Sequence, residues 1–170
     1  VVKNVQMREL FLREGLTVRG TNDGETCVHA VERHVDRNGG DMIAAIRAAY
    51  DDLEGDYAFV ITRRDEHRLY AIKKGSGLVA GLGEGLTAIS SDLPSLLPLT
   101  RRIVRIYDGE IVVLTPGSVA LYSVHDGSRI ERDQEHYDGP IEVAEKGGYP
   151  HFMLKEIHEQ PIVAGELLHL

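Results

Sequence analysis

Eleven residues near the C-terminal end, His151–Pro161, read HFMLKEIHEQP and hold two histidines, one lysine and two glutamates. These residue types serve general acid–base chemistry, since imidazole and carboxylate titrate within reach of neutral pH. Their spacing argues otherwise. On a helix His151 and His158 lie two turns apart, too far to share one small ligand. Met153 and Ile157 stand at i, i+4 and form an apolar stripe that can bury against a neighbour. Lys155, Glu156 and Glu159 then read as a solvated or interdomain face. Pro161 lacks an N–H and is expected to kink or end the helix.

Cys27 is the single thiol. A nucleophilic cysteine needs partial exposure and a lowered pKa or an adjacent base. Cys27 falls on the apolar face of a predicted helix, with His29 on a different face, and is read as a small buried side chain. His29 and His34 are five apart and His151 and His158 seven apart, neither being the i, i+4 spacing of a zinc helix. No metal or other cofactor is expected. The run GLGEG, Gly81 to Gly85, has the glycines of a phosphate-cradling loop, but no helix follows to supply N-terminal amides. It reads as a hairpin turn.

The elements around these residues divide into two parts. A helix is predicted within Met7–Gly20, with Leu10, Phe11 and Leu16 near one face and Gly20 suited to cap its C-terminus, and another from Glu25, with Cys27, Val28, Val31 and Val35 inward. A third is predicted after Asp41, with Ile43, Ile46, Ala49 and Tyr50 or Leu53 inward. Asn22 or Asp23 is positioned to cap the second, and Asp41 the third. From Asp56 the period becomes strand-like. DYAFVITRR is a nearly continuous apolar run, as expected of a strand covered on both faces. Further strands follow, with Asp108-Gly109 and Asp126-Gly127 as hairpin turns. DLPSLLPLT reads as one helical turn capped by Asp92, and Asp133 to Gly148 as a strand-poor surface connector. Helices followed by uninterrupted strands indicate an α+β fold with a largely antiparallel sheet.

The 170 residues suit one domain, with 42% hydrophobic and 27% charged residues. A net charge of −8 with no basic run longer than a pair makes nucleic acid an unexpected partner. No stretch approaches the roughly 20 apolar residues of a membrane span. One cysteine fits a reducing, cytoplasmic setting. The opening VVKNV and the apolar run at Leu170 are both read as cut ends, so an internal piece of a longer protein is expected.

Read in order, Lys74-Gly75-Ser76, Leu78-Val79, Gly81-Leu82-Gly83 and Ser90-Ser91-Asp92 resemble the glutaminase half of the glutamine–fructose-6-phosphate aminotransferase family. LEGDYAFVI (Leu53 to Ile61) and DGEIVVLT fit the same pattern. The most specific run is EKGGYPHFMLKEIHEQP, Glu145 to Pro161, which resembles the stretch leaving the glutaminase domain for the sugar-isomerase half. The resemblance covers Gly24 to Leu170 closely and the first twenty or so residues loosely.

It implies a partial glutaminase domain over 1–144, then a connector and the start of the isomerase half over 145–170. The implied fold is the N-terminal-nucleophile hydrolase sandwich, four layers α-β-β-α with mostly antiparallel sheets, here lacking its N-terminal strands. In that family an N-terminal cysteine attacks the amide of glutamine with its own α-amine as base, a group titrating at about 7.7–8.0. The ammonia passes to an isomerase half that binds fructose 6-phosphate, and the full-length protein is expected to be a cytoplasmic homo-oligomer. The family's valine-valine-histidine-asparagine-glycine matches Val1 to Val5, which places Asn4 as the oxyanion-stabilising side chain. Lys3 replaces the histidine and Val5 the glycine. If that glycine carries a special backbone conformation, Val5 would misplace the second N–H donor. Asp23 falls where an aspartate grips the α-ammonium of glutamine, although the link from Gly20 is shorter than in the family. The nucleophilic cysteine would precede Val1, so this chain alone is expected to be inactive. The alternative is a non-catalytic descendant serving as a docking or regulatory module.

Overall fold

A computed structural model describes residues 1–139 and 147–168. Three helices come first: α1 (Asn4–Arg13), α2 (Asp23–Val35) and α3 (Met42–Asp52). Among the described residues nine strands follow: β1 (Tyr57–Thr62), β2 (Leu69–Lys74), β3 (Val79–Gly83), β4 (Leu86–Ser90), β5 (Arg102–Arg105), β6 (Glu110–Thr115), β7 (Ser118–Ser123), β8 (Arg129–Ile130) and β9 (Glu135–His136). Helix α4 (Phe152–Leu168) closes the chain. The strands form two antiparallel sheets, ordered β1-β2-β6-β7-β8 and β4-β3-β5-β9. The α+β reading holds.

Local chemistry sets the helix boundaries. Asn22 caps α2, its Oδ1 accepting the Glu25 N–H at 3.2 Å, and Asp41 caps α3 by accepting from Ile43 and Ala44. Helix α1 ends well before Gly20, the glycine expected to stop it. Gly15 (φ +85°) does so instead, with Leu16 N–H donating to the Phe11 carbonyl and Gly15 N–H to that of Leu12, the paired bonds of a Schellman ending. Buried positions depart from the simple stripes. Met7 and Phe11 carry the α1 contact while Leu10 is exposed, and on α2 Thr26, Cys27, Ala30 and Val31 face inward while Val28 does not. Ala30, Ala45 and Ala49 are fully buried where α2 and α3 pack together, while Val28 is exposed.

The main core lies between these helices and one face of the first sheet, where Ile46, Leu53, Tyr70, Ile72 and Ile111 are buried. A second core, including Ala71, Ala80, Leu82, Val112 and Leu121, fills the space between the sheets. On the outer face of the second sheet, the segment from Asp92 to Thr100 buries Leu96 against Val79 and Ile103. Its helical turn is capped by Asp92, which accepts the Ser95 N–H at 2.8 Å.

Strand β1 is covered on one face only. Tyr57, Phe59 and Ile61 meet the helices, while Ala58, Val60 and Thr62 are exposed, because β4 lies over β6 and no described strand reaches over β1. Asp108-Gly109 is no hairpin turn: it carries the chain from β5 in one sheet to β6 in the other. Asp126-Gly127 does join a paired hairpin, β7 and β8. The segment expected to lack strands contributes β9, whose two polar residues pair with β5 and offered no hydrophobic alternation to read. Helix α4 continues through Pro161, since loss of one N–H donor leaves the neighbouring turns bonded. The boundary between 144 and 145 lies outside the described residues.

Candidate functional site

Asp23 and the hydrogen-bond partner of Asn4, Thr26, both belong to the N-terminal end of α2. Asp23 is the first residue of that helix, where a carboxylate is favoured by the exposed N–H groups and the helix dipole. Its Oδ2 lies within hydrogen-bond distance of the Val1 nitrogen, at 3.0 Å. The opposite side of the carboxylate faces solvent, with the side chain 59% exposed. Asn4 begins α1, and its Oδ1 accepts the hydroxyl of Thr26. Thr26 is buried and lies three residues beyond Asp23, on the same helical face. The Thr26 bond orients the Asn4 amide, leaving its NH2 as the remaining donor.

The preceding residues are fixed from below. The N–H of Val2 donates to the Glu54 carbonyl at 2.9 Å, and Lys3 pairs with the Glu54 carboxylate. Gly55 (φ +93°) makes this approach possible, because a Cβ there would sit 2.6 Å from a Val2 methyl. Val5 lies within α1, and no described non-glycine residue has a positive φ. The backbone after Asn4 is therefore ordinary right-handed helix, so its N–H groups point along the α1 axis.

Cys27 is buried at 4% exposure, one turn beyond Asp23. Burial, with a smaller contribution from the Asp23 charge, pushes its thiol up to about 11, so it is protonated near neutral pH. Tyr57 is buried beside it in the same core, its hydroxyl without a hydrogen-bond partner among the described residues. Desolvation drives that phenol far above its ordinary value. An open pocket of about 660 Å³ lies beside α2, lined by Leu16, Arg19, Glu25, His29 and Glu32 among others. Neither Asn4 nor Asp23 lines it. Among the described residues no three His, Cys, Asp or Glu side chains are arranged to hold a metal ion, and no helix is long and apolar enough to cross a membrane.

Sequence reasoning missed Thr26, Glu25 and Tyr57. For Glu25 a signal existed: Asn22-Asp23-Gly24-Glu25 has the spacing of a capping box, an N-cap residue followed three positions later by glutamate. Nothing local marked Thr26 or Tyr57, whose environments are made by distant residues.

No family model matches the chain. It is similar to curated proteins named glutamine–fructose-6-phosphate aminotransferase (isomerizing). One from Thermus thermophilus is 38% identical over 159 residues, which is 94% of this chain and 26% of the relative. That of Aquifex aeolicus is 36% identical over 170 residues, 99% of this chain and 28% of the relative. That of Sulfurisphaera tokodaii is 39% identical over 170 residues, 98% of this chain and 28% of the relative. The chain thus spans about a quarter of the length of the curated relatives it matches, and resembles one part of them.

Proposed function

We propose that this chain is most of the glutaminase domain of a glutamine–fructose-6-phosphate aminotransferase. In this reading the longer protein takes the amide nitrogen of glutamine and delivers it, as ammonia, to fructose 6-phosphate bound in a downstream isomerase half. The observation that carries the reading is the bond to Asn4 from Thr26, three residues beyond Asp23 on α2. Asn4 and Asp23 are far apart in sequence, yet the Thr26 bond brings the Asn4 amide to the turn of α2 that begins with Asp23. Similarity over nearly the whole chain supports the same conclusion.

Each residue has a chemical task. Asp23 attracts the α-ammonium of glutamine, fixing the substrate by charge where the helix dipole already holds the carboxylate ionised. The free NH2 of Asn4 donates to the oxyanion that forms when a thiolate adds to the amide carbon. An N-terminal cysteine outside this chain supplies the thiolate, its α-amine taking the thiol proton. Cys27 cannot replace it, being internal, buried and protonated. The 170-residue chain alone therefore hydrolyses no glutamine. The exposed outer face of β1 suits a four-layer sandwich completed by strands from elsewhere in the protein. The exposed Met153 and Ile157 of α4 suit a connector that packs on the isomerase half from 145 onward.

In the full-length protein, Asp23→Asn is expected to raise KM for glutamine and Asn4→Ala to lower kcat by about 10²–10³-fold. Unchanged kinetics in both variants would overturn the assignment. Labelling of Cys27 in the isolated chain by a reactive glutamine analogue would do the same. The right-handed helical backbone at Val5 favours a second reading, a non-catalytic docking or regulatory module. A cysteine directly after the initiator methionine in the reading frame decides for the enzyme, and its absence for the module.

A further inference from the structure

Glu25 is the point at which α1, α2 and the segment between them are tied together. One carboxylate oxygen, Oε1, accepts the Arg19 N–H and the other, Oε2, the Gly20 N–H, both at 2.7 Å. Arg8 of α1 places its guanidinium 3.5 Å from Oε2 and donates to the Gly20 carbonyl. His29, one turn further along α2, faces Oε1 at 3.7 Å through Nε2 and pairs with Glu32 through Nδ1 at 2.7 Å. Arg8 Nη1 and His29 Nε2 are buried without hydrogen bonds and both turn toward this carboxylate.

An ordinary capping box returns its glutamate to the N–H of the cap residue itself. Here the cap is Asn22, and Glu25 reaches past it to the two residues before Thr21. The carboxylate closes a loop over Thr21 and Asn22 instead of only satisfying a helix end. Gly20 fits this closure, since a Cβ there would press on Oε2 at 3.2 Å. The chain can then enter α2 from one direction only, and Asp23 is the first residue after the entry. Two backbone donors engage the oxygens of Glu25, one on each.

We propose that Glu25 is a positioning residue for Asp23: by clamping Arg19 and Gly20 it holds the Asp23 carboxylate toward the α-ammonium of glutamine. This rests on the assignment of Asp23 made above. Without the clamp, the segment Arg19–Asn22 gains freedom and the anchor loses its preset orientation, which weakens binding more than the chemical step.

The test is a double-mutant cycle in the full-length protein with glutamine as substrate, comparing wild type, Glu25→Gln, Asp23→Asn and the double variant. Glu25→Gln is expected to raise KM about tenfold with kcat within about twofold, and to change KM less than about twofold when Asp23 is already Asn. Amide exchange at Arg19 and Gly20 should accelerate in Glu25→Gln. An equal KM factor in both backgrounds makes Glu25 a purely structural residue and overturns the proposal, as does an unchanged KM in the single variant. If Asp23→Asn alone leaves KM unchanged, the ammonium-anchor assignment itself falls. Should Glu25→Gln not fold, Glu25→Asp, which keeps the charge but shortens the reach, enters the same cycle with the same criteria.

Discussion

Two regions of this molecule are dense in titratable side chains, and they differ in how those side chains are held. At the α1–α2 corner, Arg8, Asp23, Glu25 and Arg33 each meet a partner from another segment, over a core that contains fully buried Phe11. Along α4 two interactions are local: Lys155 pairs with Glu159 at 3.7 Å, and His158 stacks on Tyr149. Met153 and Ile157 there are 71% and 51% exposed. Composition alone cannot separate the two. Convergence of distant segments does, because only it fixes a carboxylate or amide in space before a ligand arrives.

The contrast can be broken most severely through packing. Phe11→Ala is expected to cost about 3–5 kcal/mol, whereas Ile157→Ala on exposed α4 should stay within about 0.5 kcal/mol. Denaturant unfolding measures both, and similar values would erase the distinction between regions. Thiol reactivity gives the next effect. Burial raises Cys27 from an ordinary value of 9.0 to about 11, so native Cys27 should react about a hundredfold more slowly near neutral pH than a cysteine placed on α4 by Met153→Cys. Equal alkylation rates would show that Cys27 is not held in the core.

A smaller effect sharpens the role of the helix start. Asn22→Ala removes the cap of α2 and should cost about 1 kcal/mol in unfolding free energy. No loss would mean that the Glu25 clamp alone holds that end. The smallest comes from the β7–β8 turn, outside both regions, as a control. Backbone and hydroxyl bonds from Ser128 hold Asp126 down to about 2, against an ordinary 3.8. A carboxyl depressed in the folded state contributes stability that is present above about pH 4 and lost as pH falls toward 2. Asp126→Asn should flatten that part of the acid unfolding curve, and an unchanged curve would count against the bond pattern.

Much of this was legible before the fold was known. Asn22 and Asp41 announced two helix starts, Gly81 to Gly85 a hairpin, and the burial of Cys27 followed from its helical face. The misreadings share one cause. Val28 was placed inward because apolar periodicity does not say which side a neighbouring helix will occupy. Asp108-Gly109 was read as a hairpin because a turn dipeptide does not say whether its flanking strands share a sheet. Strand β1 looked covered on both faces because its composition reports an apolar preference, not the layer that meets it.

What the sequence determined by itself, then, is what acts within about one helical turn or one hairpin: caps, stops, strand periodicity and the order of elements. Tertiary structure alone decided that Asn4 bonds Thr26 and that Arg8 of α1 reaches the Glu25 carboxylate and the Gly20 carbonyl. Those contacts depend on how α1 and α2 settle on the sheet through Met7, Phe11, Ala30 and Val31. That docking is a long-range burial of apolar surface, and no local pattern encodes its angle or depth.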